Sequence, residues 1–399
     1  MSVTAAQGFV AGGGAVGIKD GDRPDLALVA TADRVAVPAA AVFTTNLACA
    51  APVQISRRHL VDGHAAAVVL SSGNANAATG EQGRRDALRM CELAAESFGI
   101  APDDVLVCST GLIGIPLAMD PIEKGIPLVA QTVSASRAGA AAAAQAMLTT
   151  DTVAKEAVAT VSIGSSRVTV GGMAKGAAML SPAMATMLAV LTTDARVEPG
   201  LLRRTLADAV SLSFDRLCVD GCRSTNDTVA VLASGQAGGT VLDGGSRAEA
   251  RALTDAMAEV CSSLAEQMAR DAEGATKFVR IVVEGARSDA DAVVAARAIA
   301  ASQLVQCSLY GGDPYWGRVL SEIGASGAFC DPERIDIDYS GVTVCRDGIA
   351  CAHDAGALAT VMAAPELTVR SDLNLGHGEA TVLTTDLSPA YIAENMRTS

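Results

Sequence analysis

A lysine and a threonine stand eleven residues apart in the segment Gly171-Gly172-Met173-Ala174-Lys175-Gly176-Ala177-Ala178-Met179-Leu180-Ser181-Pro182-Ala183-Met184-Ala185-Thr186-Met187-Leu188, near the middle of the chain. Cutting the Ala185–Thr186 bond would give Thr186 a free α-amine, which titrates at about pH 7.7–8.0 when unperturbed. That amine can take the proton of its own residue's hydroxyl and turn a weak nucleophile into a useful one. Spacing alone favours a plainer role, a buried strand threonine, since β-branched residues are common in strands.

Several elements must position this segment. Arg167 to Val170 reads as a strand leading into the Gly171-Gly172 turn. Upstream, Ala66 to Leu70 and Val105 to Cys108 read as buried strands around a helix from Arg84 to Phe98. Residues 137–147 are alanine-rich and predict a helix, because alanine is the best helix former. Downstream, Leu202, Leu206, Ala209 and Val210 share one helical face, and Leu253, Met257, Val260, Leu264 and Met268 make a longer stripe. Gly274 stands where a helix C-terminal glycine is expected. Phe278 to Val283 reads as a strand, Asp289 to Ala301 as a helix, and Leu367 to Leu387 as strand-like runs. Helices and strands mix in both halves, so the fold class expected is α/β, or mixed α+β, with sheets covered by helices.

Composition narrows the function. The chain has 399 residues, 50% of them apolar but only 3% aromatic, so its core must be built from short aliphatic side chains. The formal net charge of −14 and the absence of a basic run argue against nucleic acid and anionic membranes as partners. The N-terminus lacks the charge and apolar pattern of a signal peptide, and no run reaches the ~18 apolar residues of a spanning helix. A soluble cytoplasmic protein is expected. Ten cysteines are scattered without CxxC pairs, and the four histidines (His59, His64, His353, His377) match neither a metal spacing nor a Ser/His/Asp set. No metal is implied. The triple glycine at 12–14 lacks the Lys-Ser/Thr of a phosphate loop. Leu-Thr-Thr-Asp recurs at 148–151, 191–194 and 383–386, read either as polar strand ends or as ends converging on one polar site.

The run Lys175-Gly-Ala-Ala-Met-Leu-Ser-Pro-Ala-Met-Ala-Thr-Met-Leu, followed by an apolar stretch and Thr193-Asp194-Ala195, resembles the signature of the ornithine acetyltransferase family of self-cleaving acyltransferases. The similarity extends through Gly73-Asn74-Ala75-Asn76, Ser109-Thr110-Gly111-Leu112-Ile113-Gly114, Leu148-Thr149-Thr150-Asp151-Thr152, Ser224-Thr225-Asn226-Asp227-Thr228, Asp271-Ala272-Glu273-Gly274 and Trp316-Gly317-Arg318. Order and spacing hold across nearly the whole chain.

The resemblance implies the two-part fold of the ornithine acetyltransferase and DmpA-like type. It implies self-cleavage into residues 1–185 and 186–399, with Thr186 as nucleophile, and two such pairs joined in a heterotetramer. It implies transfer of acetyl from N2-acetyl-L-ornithine to L-glutamate through an acetyl-Thr186 intermediate. No cofactor is required; some relatives also take acetyl-CoA as donor. Thr110 and Gly111 match the oxyanion hole, although a Ser-Thr-Gly alone reads as a turn. Thr149, Lys175 and Glu273 match substrate-contacting positions: Lys175 would meet a carboxylate and Glu273 the amine of ornithine. Asn395 carries over from the family's tail, and Ser399 stands for its final hydroxyl residue.

The chain departs from the family's pattern at Gln306, Gly312 and Tyr315, where lysine, glutamate and asparagine are usual, and at Ser71 and Ala78. These changes bear on substrate choice. They leave open a paralogue acting on an ornithine- or glutamate-like metabolite, a self-processing amidase or aminopeptidase, and a non-catalytic amino-acid-binding homologue.

Overall fold

The computed structural model describes residues 2–180 and 187–396. They form two compact units, one from residues 2–176, 187–215 and 223–268, the other from 177–180, 216–222 and 269–396. Each unit draws on both sides of residue 186, so the compact units do not follow a boundary at that residue.

The first unit is built around two sheets. The four-stranded sheet runs in the order β1 (Phe9–Gly14), β2 (Leu26–Thr31), β5 (Ala67–Asn74), β6 (Val105–Leu112). The six-stranded sheet runs β4 (His64–Ala65), β3 (Val37–Phe43), β10 (Thr228–Ala233), β9 (Leu188–Thr193), β8 (Ser166–Lys175), β7 (Lys155–Ile163). Strand period explains why β2 is apolar at every position but its last: Leu26, Leu28 and Ala30 face one core, and Ala27 and Val29 face the other. The first core lies against α1 (Ala51–His59), α2 (Gly80–Phe98) and α3 (Met119–Ala130). The second lies between the two sheets, with Met173, Leu188, Val190, Ala230 and Leu232 contributed by the six-stranded one. It also receives the alanines of α4 (Arg137–Ala146), a helix capped by the Ser136 hydroxyl accepting from the Gly139 N–H. Helices α5 (Pro199–Leu212) and α6 (Arg247–Arg270) complete this unit, and Val260 and Leu264 of α6 lie against Gly172 of β8.

The triple glycine 12–14 is a strand end, not a loop. A Cβ at Gly13 would stand 2.4 Å from the Ala142 carbonyl oxygen, so glycine lets β1 and α4 approach.

The second unit holds a six-stranded sheet in the order β14 (Ile349–Ala350), β13 (Val342–Arg346), β12 (Asp336–Tyr339), β15 (Glu366–Asp372), β11 (Phe278–Ala286), β16 (Gly378–Thr385). Its core joins Ile281, Val283, Val369 and Val382 to α7 (Asp289–Ala301), α8 (Gln303–Tyr310), α9 (Trp316–Ala325) and α10 (Ala355–Ala363). The last element is α11 (Pro389–Asn395). Among the described residues no single helix is long and apolar enough to cross a membrane. The expected mixed α/β class, with helices covering sheets, is what the chain adopts.

Candidate active site

Thr186 and Ala185, with Ser399, lie outside the described residues. What surrounds residue 186 along the chain is described. Strands β9 and β10 are parallel and begin in register at Leu188 and Thr228. The residues just ahead of them, Met187 and Asp227, therefore lie side by side. An Asp227 carboxylate oxygen, Oδ1, accepts the Met187 N–H at 2.8 Å, and the Thr228 N–H donates to the Met187 carbonyl at 3.2 Å. One residue earlier, the Asn226 amide donates to the Ser109 carbonyl at 2.8 Å and to that of Ala75 at 2.6 Å. Asn226 and Asp227 thus tie the end of β6, where Thr110 and Gly111 sit, to the backbone that directly follows residue 186. Sequence reasoning quoted this pair inside a motif and gave it no role.

Gly111 is required where it stands. Its φ is +136°, and a Cβ there would lie 2.3 Å from the Gly73 carbonyl carbon and 2.5 Å from the Asn74 nitrogen. The β5–β6 register shifts at Gly73 and Asn74, where the two backbones crowd. Thr110 beside it is 2% exposed. Gly111→Ala is expected to cost about 1–3 kcal/mol in backbone strain alone, and more with the clash. Chemical denaturation checks this, and an unchanged midpoint would contradict it.

A buried charge cluster lies at the end of β8. Lys175 ends β8 and is 2% exposed; its ammonium lies 3.5 Å from Asp151 Oδ2. Lys155, fully buried at the start of β7, donates to Asp151 Oδ1 at 2.7 Å. The N–H groups of Gly176 and Thr149 complete the shell of that carboxylate at 2.7 and 3.1 Å. Burial alone would raise the Asp151 pKa, but the Lys175 and Lys155 charges and the hydrogen bonds from Lys155 and Gly176 hold it well below the usual carboxylate range. Lys19 approaches the same group of charges, donating to the carbonyls of Pro24 at 2.8 Å and Leu148. Burial lowers its ammonium to about 8; Asp25 opposes the shift, and Arg23 and Lys175 add to it. The Lys155 and Lys175 ammoniums, both buried, share the Asp151 carboxylate. Lys175 and half-buried Thr149 were legible from sequence; Lys155 and Asp151 were not, although their i,i+4 spacing is the trace they leave.

In the second unit the structure joins Glu273 and Asn395. The Asn395 amide donates to Glu273 Oε2 at 2.9 Å, and the Glu273 N–H donates to the Ala177 carbonyl at 2.9 Å. On the same helix as Asn395, the Tyr391 hydroxyl donates to Asp220 Oδ2 at 3.2 Å. Burial raises the Asp220 carboxyl, against the N–H groups of Cys222 and Met179 and the Tyr391 hydroxyl, with the Glu273 charge adding to the rise.

The departures at 306, 312 and 315 fall in this unit too. Gln306 is 2% exposed, and its amide donates to the Val219 and Ala300 carbonyls at 2.7 and 3.1 Å and to the Thr384 hydroxyl at 3.2 Å. Its side chain holds the fold together. Gly312 and Tyr315 are exposed. The three Leu-Thr-Thr-Asp runs do not share a role: Asp151 serves the lysines, Asp194 accepts from the Thr169 and Gln7 N–H groups, and Asp386 accepts from those of Thr276 and Lys277. Only the second and third run end strands. No group of His, Cys, Asp or Glu among the described residues is arranged to hold a metal.

Comparison with known proteins gives a consistent picture. The ArgJ family model matches residues 10–398. The chain is 47% identical over 395 residues to the arginine biosynthesis bifunctional protein ArgJ of Symbiobacterium thermophilum, covering 98% of this chain and 97% of the relative. It is 48% identical over 397 residues to the protein of the same name from Thermobifida fusca, covering 99% of each. A solved ornithine acetyltransferase from Mycobacterium tuberculosis, complexed with ornithine, is 38% identical over 45% of this chain and 94% of that one, with a TM-score of 0.41.

Proposed function

The chain belongs to the ArgJ family, and from that premise we propose that it is a self-cleaving acetyltransferase of arginine biosynthesis, carrying acetyl from N2-acetyl-L-ornithine to L-glutamate through Thr186. The observation that carries the reading is the Asn226–Asp227 tie, which links the Thr110-Gly111 end of β6 to the backbone following residue 186.

The chemistry runs in two stages. In maturation the Thr186 hydroxyl attacks the Ala185 carbonyl, the C–N bond breaks, and the nitrogen leaves as an amine; water then hydrolyses the ester. In turnover the freed amine takes the hydroxyl proton while Oγ attacks the acetyl carbonyl of N-acetylornithine. Ornithine leaves with that proton, and the amine of glutamate repeats the attack on acetyl-Thr186. Each attack builds an anionic oxygen, which Thr110 and Gly111 would stabilise; one donor in such a place contributes roughly 3–4 kcal/mol. Lys175, within its buried charge cluster, would hold the substrate α-carboxylate, with Thr149 beside it. Glu273, Asn395 and, outside the described residues, Ser399 are proposed for the remaining contacts, with Glu273 matched to the ornithine amine.

No cofactor is needed for these steps, and acetyl-CoA is proposed as a second donor. The cut pieces would stay together, because β9 and β10 pair with β8 and β3 across the proposed cut. Two such pairs in a heterotetramer, working in the cytoplasm, complete the proposal.

The test follows the acetyl group by intact mass. With N-acetylornithine, or with acetyl-CoA, the fragment beginning at residue 186 should gain one acetyl and lose it to glutamate as N-acetylglutamate. Free acetate released as fast as N-acetylglutamate would favour an amidase; binding without any acetylated fragment would favour a non-catalytic homologue.

A further inference from the structure

The Ser224–Thr228 segment contains a buried acid that the mechanism above does not use. Asp227 is fully buried. Its Oδ1 is engaged by the Met187 N–H at 2.8 Å, while Oδ2, equally buried, has no hydrogen-bond partner among the described residues. A buried carboxylate with an unmatched oxygen is costly, and the protonated form relieves that cost. The position is as informative as the burial. Asp227 bonds the nitrogen of the residue bonded directly to Thr186, and consecutive Cα atoms are only about 3.8 Å apart. The Met187 nitrogen that Asp227 holds is joined to the scissile Thr186 nitrogen through only three covalent bonds.

We propose that Asp227 is the proton-transfer residue of self-cleavage. This rests on the reading of Thr186 given above. The carboxylic acid gives its proton to the Thr186 nitrogen as the bond to the Ala185 carbonyl carbon breaks. The carboxylate so formed takes the proton released by the Thr186 hydroxyl, whose oxygen now bears the acyl group. One proton moves from oxygen to nitrogen, Asp227 ends as it began, and only the following hydrolysis consumes water.

The surroundings keep such an acid loaded. Burial pushes the Asp227 carboxyl up to about 8, against the opposing pull of the Met187 N–H and the Lys175 charge; the Ser224 hydroxyl adds to that pull without a hydrogen bond to Oδ2. Lys175 on β8 is the charged side chain acting on it. On β6, Cys108, whose thiol meets the Thr228 hydroxyl, is pushed up to about 12 by burial and stays neutral over the relevant range.

The experiment expresses the full chain as wild type, Asp227→Asn and Thr186→Ala, and follows the two fragments by denaturing mass over time. Asparagine keeps an acceptor for the Met187 N–H and removes the proton. Cleavage by Asp227→Asn should be slower by roughly 10²-fold or more, with an unchanged melting temperature. In the wild type the cleavage rate should hold below about pH 8 and fall above it, as the donor proton is lost. Cleavage of Asp227→Asn at the wild-type rate, or a wild-type rate that climbs steadily through pH 9, overturns this proposal alone. A wild type that is never cut overturns it together with the reading of Thr186. If Asp227→Asn does not fold, the wild-type pH profile decides.

Discussion

Thr186→Ala is expected to accumulate as one uncut chain and to show no acetyl transfer above the residual left by binding alone, a loss of roughly 10⁴-fold or more in kcat. The reason is that two events need the same oxygen. Without Oγ the Ala185 carbonyl is not attacked, so no α-amine forms; without the amine and the oxygen no acetyl-enzyme forms. Thr186→Ser keeps a hydroxyl and should still be cut and still accept acetyl. Denaturing mass and a glutamate acetylation assay on both variants check this. An alanine variant that is cut, or that transfers acetyl at a substantial rate, would remove Thr186 from the mechanism.

Asp151→Ala should strongly destabilise the first unit. It leaves the Lys155 and Lys175 ammoniums buried without their shared carboxylate, and breaking a buried pair in this way costs about 3–5 kcal/mol. Its pH dependence has a definite sign. The folded pKa of Asp151 is held below its unfolded value of about 3.9, so the stabilisation is complete above that value and is lost as pH falls through the folded pKa. The stability difference between wild type and Asp151→Asn should therefore be flat from neutral pH down to about 5 and shrink in stronger acid. Denaturant melts across that range measure it. A difference that persists unchanged at the acid end would mean that the carboxylate is not held by the lysines.

How far the sequence carried the reading depended on the range of the signal. The helix at Asp289–Ala301 and the strands at 67–74 and 105–112 follow from local periodicity, and their boundaries moved by a few residues at most. The Gly12–Gly14 strand was missed because glycine carries no strand propensity; what makes it a strand is its antiparallel pairing with β2, and Gly13 lets α4 approach it. Lys175, Thr110 and Gly111 were legible only through resemblance, since a lone lysine and a Ser-Thr-Gly turn have no specific local meaning. The Asn226–Asp227 tie needs the parallel register of β9 and β10, which is concealed because Met187 and Asp227 stand forty positions apart in the sequence. Gln306 looked like a change of specificity because sequence records a lost charge but not the three acceptors that an uncharged amide satisfies.

The six-stranded sheet of the first unit has a further consequence if the chain is cut at residue 186. Four of its strands then belong to one polypeptide and two to another. A unimolecular folding reaction becomes an association, so the matured protein's melting point would rise with its concentration in a way that the uncut precursor's would not. Dilution would penalise refolding of the cut form but not of the intact chain, and the order of events would matter: fold first, cut second. Maturation would then be a one-way passage, in which the precursor encodes an arrangement that its own products recover only by finding each other.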